Sequence, residues 1–123
     1  MQVRVYYEDT DVGGVVYHSN YINFCERARS EMFFQHGLSP HQDNQFFVAK
    51  HLEANFIKPA VFADILDIDT KVIKLKNASA VLLQTITRDG EKLFEMKVTV
   101  AYVKDKKPSK IPDNMKEFLS RYL

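Results

Sequence analysis

Long apolar runs, paired cysteines and an excess of one charge are all missing from this chain of 123 residues. No stretch approaches the ~18 apolar residues of a membrane-spanning helix, which excludes that class. The one cysteine, Cys25, excludes an intramolecular disulfide and a multi-cysteine zinc site, and it suits a reducing compartment. Lys and Arg number 17 against 16 Asp and Glu, for a formal net charge of +1. Such a balance gives no global field for nucleic acid. The start, Met1-Gln2-Val3-Arg4-Val5, alternates and carries a charge, without the apolar segment of a secretory signal. There is no internal repeat, low-complexity tract or linker, and no Gly-x-Ser-x-Gly, Walker A or His-Glu-x-x-His run. With 46% hydrophobic and 27% charged residues, the composition is that of an ordinary globular chain. The expectation is one cytoplasmic domain over 1–123, long enough to bury a core without staples.

What is present is a change of period along the chain. Val3 to Tyr7 mixes β-branched and aromatic residues and reads as a short strand. Glu8 to Gly14 reads as a loop. A helix follows, with Ser19 or Asn20 as the expected cap. Tyr21, Phe24, Cys25, Ala28, Met32 and Phe33 recur at helical spacing, and Gly37 is placed to end the helix. Glu26, Arg27, Arg29 and Glu31 fall on its polar face. After a loop over 39–45 the period becomes two. Phe46, Val48, Leu52, Ala54 and Phe56 read as one strand face, with Lys50 as an exception. Leu66, Ile68, Thr70 and Val72 form the next alternation, and Val81 to Thr87 the third strand of this run. Asp89-Gly90 signals a tight hairpin, and Phe94, Met96, Val98, Val100 and Tyr102 alternate after it. Lys104 to Lys110 reads as a basic loop and Pro112 to Tyr122 as a short final helix. The order β-α-β-β-β-β implies an α+β protein, with one long helix packed on an antiparallel sheet. No doubly wound nucleotide site is expected.

The segment richest in chemistry is Arg4 to Tyr21, which places Glu8, Asp9, Asp11, two glycines and His18 just before the helix. Helix starts offer unpaired N–H groups and partial positive charge. Such donors stabilise a carbonyl oxygen that becomes an oxyanion, and a nearby carboxylate can act as base or nucleophile. The segment therefore suits acyl transfer or hydrolysis. The same residues also serve as ordinary turn chemistry, with acids capping bends that the glycines permit. Asp9, Asp11 and His18 are a weak divalent-metal set, and no metal is expected. Cys25 with His18 as base is a second nucleophile reading, but Cys25 lies on the apolar stripe of the helix. Gly13-Gly14 is a weak phosphate cradle. His36, His41 and His51 read as helix-end, loop and strand residues. Lys104, Lys106, Lys107 and Lys110 form a solvated loop or a phosphate contact.

Arg4-Val5, Thr10-Asp11, Gly14-Val15-Val16, Ser19 and Tyr21, at their spacings, resemble the signature of the 4-hydroxybenzoyl-CoA thioesterase family. Within it the chain is most similar to the YbgC-type acyl-CoA thioesterases. The resemblance implies a hot-dog fold, in which a curved antiparallel five-stranded sheet wraps one long central helix, with a short C-terminal helix added. It implies hydrolysis of acyl-CoA thioesters without a cofactor, with Asp11 as the catalytic carboxylate and Tyr7 and His18 beside it. The backbone N–H of His18 then polarises the thioester carbonyl. Gly14, Val15, Val16 and Tyr17 are expected to line the substrate site, with Lys58, Arg88 and the Lys104–Lys107 loop as candidates for the coenzyme A phosphates. Acyl carrier protein thioesters are a further substrate class. The fold implies a homo-oligomer, a tetramer of two dimers with sites between subunits. A non-catalytic acyl or acyl carrier protein binding module is the alternative. A hot-dog dehydratase is another, but Glu26 and Glu31 on the helix have no paired histidine.

Overall fold

The computed structural model describes all 123 residues. Five long or early strands appear in the expected order: β1 (Gln2–Arg4), β3 (Gln45–Phe56), β4 (Ile65–Leu75), β5 (Ser79–Arg88) and β6 (Glu91–Lys104). Two short strands join them, β2 (His41–Gln42) and β7 (Lys107–Pro108), both inside segments read as loops from sequence. All pairings are antiparallel, and the sheet order is β1-β4-β5-β6-β3-β2, with β7 on β6. The helix α1 (His18–Phe34) lies against the inner face of this curled sheet, and α2 (Asp113–Ser120) closes the far end. No helix is long and apolar enough to cross a membrane.

The core follows the two periods. Tyr21, Phe24, Cys25, Ala28, Met32 and Phe33 are the buried residues of α1. They meet Leu66, Ile68 and Val72 of β4, Ala80, Leu82 and Ile86 of β5, and Phe94 to Val100 of β6 in one cluster. The helix ends as expected: Gly37 adopts φ +70°, and the amides of Gly37 and Leu38 donate to the carbonyls of Phe34 and Phe33. Asp89 and Gly90 both take positive φ, at 50° and 81°, in the two-residue turn between β5 and β6.

Three local expectations change. β1 stops at Arg4, because the Asp9 carboxylate accepts the Tyr6 amide at 2.8 Å and winds Tyr7–Asp9 into a 3-10 turn. Neither Ser19 nor Asn20 caps α1. The capping position is Tyr17, whose side chain makes no cap bond, and the Asn20 side-chain amide donates to the Asp9 carbonyl instead. In β3 a bulge lies between Ala49 and His51, so Lys50 is the extra residue and the strand changes face there. Leu52, Ala54 and Phe56 pair with the inward Val98, Met96 and Phe94. Before the bulge the inward residues are Phe47 and Ala49, opposite Tyr102 and Val100, and Phe46 and Val48 point the other way.

Arg29 also departs from its expected place on a solvated helix face. It is half-buried, and its Nη1 donates to Gln84 Oε1 at 2.9 Å. Gln84 is fully buried in the middle of β5 and donates in turn to the Cys25 carbonyl (2.8 Å) and the Thr70 hydroxyl (3.0 Å). Within β5 it is the one polar residue of the inward set Ala80, Leu82, Gln84, Ile86, and it ties helix to sheet. Gln84→Leu keeps the approximate volume but strips these bonds and leaves the guanidinium without its acceptor. A loss of about 2 kcal/mol is expected, read as a fall in Tm of about 8 °C. An unchanged Tm would show that the network contributes nothing to stability.

Candidate active site

The residues between β1 and α1 are held by their own backbone. Thr10 and Val16 form an isolated antiparallel bridge, and the Asp11 amide donates to the Val15 carbonyl at 2.9 Å. Between them the chain reverses over Asp11 to Gly14, closed by the Gly14 amide on the Asp11 carbonyl at 3.0 Å. Gly14 sits at φ +81°, where a side chain is strained. At Gly13 a Cβ would stand 3.2 Å from Asp11 Oδ1, close enough that the carboxylate would have to shift. That oxygen accepts the Gly13 amide at 2.8 Å and the Val15 amide at 3.4 Å. Oδ2 has no partner in the chain and faces an exposed surface. The carboxylate is thus oriented through one oxygen and open at the other.

The strand-like segment Val15–Val16 continues against residues 60–61. Val15 bridges Val61, and the Val16 amide donates to the Ala60 carbonyl at 2.9 Å. The Ala60 amide donates to the buried Tyr21 hydroxyl at 2.9 Å. Burial is the main cause that raises the Tyr21 pKa, opposed by the Ala60 bond and Arg88, with Asp64 and Asp11 adding smaller upward pushes. Tyr21 therefore stays a neutral phenol, and the Asp11 charge acts within its range.

A cleft of about 230 Å³ opens beside the helix start. Val15, Val16, His18 and Tyr21 line one side and residues 56–59 the other. At its edge the first turn of α1 is unusual. The Tyr17 amide is taken by the Asp9 carbonyl and the Asn20 amide by the Tyr17 carbonyl, but the amides of His18 and Ser19 find no acceptor. Free N–H groups at a helix start carry the positive end of the helix dipole. The His18 ring is exposed and rests on the Tyr17 ring, with centroids 4.2 Å apart.

Asp11, Val15, Val16 and His18 are thus brought into one neighbourhood. Gly14 supports the turn and Tyr17 caps the helix, and neither lines the cleft. Tyr7 is 80% exposed and stacks on Phe62 at 4.7 Å. Lys58 borders the cleft, but its Nζ lies 2.7 Å from Glu91. Arg88 pairs with Asp64 at 2.7 Å and with Glu91 at 3.3 Å, so two bases and two acids balance each other. Burial alone would raise the Asp64 pKa, but the Val61 amide and Arg88 together outweigh it and hold it below the ordinary 3.8. The lysines of the basic loop lie at the other end of the chain's sheet, where Lys104 pairs with Gln45 at the start of β3. No three His, Cys, Asp or Glu side chains converge to hold a metal ion.

Residues 13–95 match the profile of the Thioesterase superfamily. The acyl-CoA thioesterase YbgC of Helicobacter pylori is 46% identical over 86 residues, which is 70% of this chain and 65% of that protein. The chain belongs to the thioesterase superfamily. The acyl-CoA thioester hydrolase YbgC of Escherichia coli is 40% identical over 105 residues, 82% of this chain and 78% of that one. A crystal structure of a probable thioesterase from Bartonella henselae superposes with a TM-score of 0.86 at 36% identity, covering 91% of this chain and 97% of that one. A protein from Thermus thermophilus gives 0.92 at 26% identity, over 100% and 98% of the chains. The hot-dog fold is therefore that of the superfamily. The Helicobacter match spans just under two thirds of its relative's length.

The sequence signal for the loop was two-sided, because the same acids and glycines serve as turn residues, and it was the signature spacing that singled out Asp11. Arg29 and Gln84 carried a fainter one: Gln84 interrupts an apolar face in β5. Cys25 is excluded as a nucleophile by its place. It is fully buried, and burial pushes its thiol pKa up to about 12, with the Arg29 charge opposing. Native protein is expected to resist alkylation by iodoacetamide at about pH 8 and to be labelled after unfolding. Rapid labelling of the folded protein would contradict the buried thiol.

Proposed function

We propose that this chain is an acyl-CoA thioesterase that hydrolyses its substrate to free acid and coenzyme A, with one catalytic domain over residues 1–123. The observation that carries this reading is the pairing of an oriented carboxylate with unsatisfied helix-start donors: Asp11 held through Oδ1, and the His18 and Ser19 amides without acceptors. A thioester needs little more, because sulfur donates weakly into the carbonyl and thiolate leaves readily. The carbonyl oxygen accepts from the His18 N–H as negative charge develops. Asp11 Oδ2 takes a proton from water as the water oxygen bonds to the carbonyl carbon. Collapse breaks the C–S bond, and the thiolate receives that proton. Direct attack by Asp11, giving an anhydride that water then opens, uses the same carboxylate. The YbgC relatives, named as acyl-CoA thioester hydrolases, support this assignment. Acyl carrier protein thioesters are a second substrate class within it, and a cytoplasmic location suits both.

Asp11→Asn is expected to lower kcat by roughly 10²–10⁴-fold with the fold retained. His18→Ala removes the imidazole but keeps the backbone donor, so a smaller loss is expected. Thiol release from acyl-CoAs measures both. Asparagine at more than about a tenth of wild-type turnover, a cost under ~1.4 kcal/mol, would sink the assignment.

The assembly is a homo-oligomer, with dimers formed across the free edge of β3 and two dimers making the tetramer that the family resemblance implies. Support comes from that edge. Beyond its two-residue pairing with β2, β3 has no outer neighbour. Leu52 and Phe56 occupy inward register positions yet are 40% and 53% exposed, although Phe56 packs on the Tyr21 and Phe94 rings. An open edge with uncovered apolar residues needs a partner strand. Antiparallel pairing of two β3 edges sets the Gln45 end of one copy, with its Lys104 hairpin, beside the Phe56 end of the other. The basic loop of one copy then neighbours the cleft of its partner, where it serves the coenzyme A phosphates together with Lys58 and Arg88. Leu52→Asp is expected to shift the solution mass toward monomer and to lower activity with it. A fully active monomer would remove the interface from the reaction.

A further inference from the structure

A second cavity, of about 420 Å³, lies between the C-terminal half of α1 and the start of β3. Phe33, Phe47, Ala49 and Val100 give it an apolar wall, and Arg29 lines it beside Glu26, Ser30, Ser39 and His41. No carboxylate stands within ion-pair distance of Arg29. Its one acceptor is the buried Gln84 amide oxygen, and the other guanidinium donors have none in the chain. Glu26 acts on it only from a distance, and its carboxylate accepts the Ser30 hydroxyl at 3.2 Å. Burial is the main influence on the guanidinium and disfavours its charge, yet an arginine remains protonated. A cation with donors to spare, set beside the apolar part of a mixed lining, is a poor design for holding plain hydrocarbon. It suits an apolar body that ends in an oxygen acceptor.

We propose that Arg29 is a specificity-determining residue that reads a hydroxyl or carboxylate oxygen at the distal end of the substrate's acyl group, with the apolar part of that group in this cavity. The inference rests on the thioesterase reading and on the β3 pairing above. Within one chain the eleven residues from His18 to Arg29 span about 16 Å of helix. Across an antiparallel β3 edge the two ends of the strand meet. The cavity of one copy then neighbours the cleft of its partner, and the acyl group crosses the interface from one to the other.

Plain acyl-CoAs from hexanoyl to dodecanoyl, compared with their ω-hydroxy and ω-carboxy counterparts, test this by kcat/KM. At the length where the distal oxygen meets Arg29, wild-type protein is expected to favour the oxygenated substrate roughly tenfold or more, as for a hydrogen bond to a charged group. The hydroxyl and carboxylate arms separate hydrogen bonding from charge pairing. Arg29→Met is expected to abolish the preference, and Arg29→Lys to restore part of it. The ratio between substrates, unlike total activity, does not move with a merely structural role. Should the methionine variant fail to fold, the wild-type ratio and the lysine variant decide. Plain thioesters hydrolysed with no preference at any length, or a preference that survives Arg29→Met, overturns the role of Arg29 and leaves the thioesterase reading standing. No hydrolysis of any thioester by wild-type protein overturns both.

Discussion

One helix has to bury a wide apolar stripe against a single sheet, and the rest of the architecture answers to that requirement. A flat sheet would touch α1 along one line. The curled sheet reaches it from β4, β5 and β6 together, and α2 covers the end near Phe33 through Phe118, at 5.1 Å between rings. The hydrophobic gain is largely non-directional. The Arg29–Gln84–Thr70 chain supplies direction: the buried Gln84 amide is bonded at both its oxygen and its nitrogen only when the helix sits at one rotation and one depth. No buried side-chain polar atom is left without a partner.

The same wrapping exposes two things. At the N-terminal end the helix start emerges beside the 11–14 turn and the segment at 56–61. A serine, asparagine or aspartate at the capping position would accept from the Ser19 or Asn20 amide and add stability, leaving the His18 amide free in any case. Tyr17 does not, and the amides of His18 and Ser19 stay free. The helix start thus keeps free the donors that the proposed catalytic reading would use. At the side, β3 has too few residues from its own chain to cover it. Its inward positions after the Lys50 bulge, Leu52 and Phe56, remain open to solvent.

The buried and exposed thiol and charge positions fit this division. Cys25 lies in the core with its thiol pKa pushed up by burial, unreactive in the folded protein. Lys58, Arg88, Asp64 and Glu91 form a charge network along the edge of the cleft. That network stiffens the wall at 58–64, since Arg88 also donates to the Pro59 carbonyl at 3.3 Å.

Local rules made much of this legible in the sequence. The helical stripe from Tyr21 to Phe33, the Asp89-Gly90 turn, the Gly37 stop and the alternation of β4 and β6 each depend on neighbours a few residues away. The Asp11–Gly14 turn is of the same kind, because its carboxylate bonds to amides two and four residues on. Its role as a site was suggested by the company of acids, glycines and a helix start. What only the tertiary structure decided depends on residues far apart. Lys50 reads as an exception to a pattern, and its bulge is visible only opposite β6. Ser19 and Asn20 are good caps by type, but Asp9 lies close enough in space to claim Asn20. Arg29 has a solvent-facing look by helical period, and only Gln84, 55 residues away, draws it inward. Sequence spacing specifies which face a side chain takes within its own element. It does not specify what stands opposite that face, because that depends on how far the sheet has curled when the core is full.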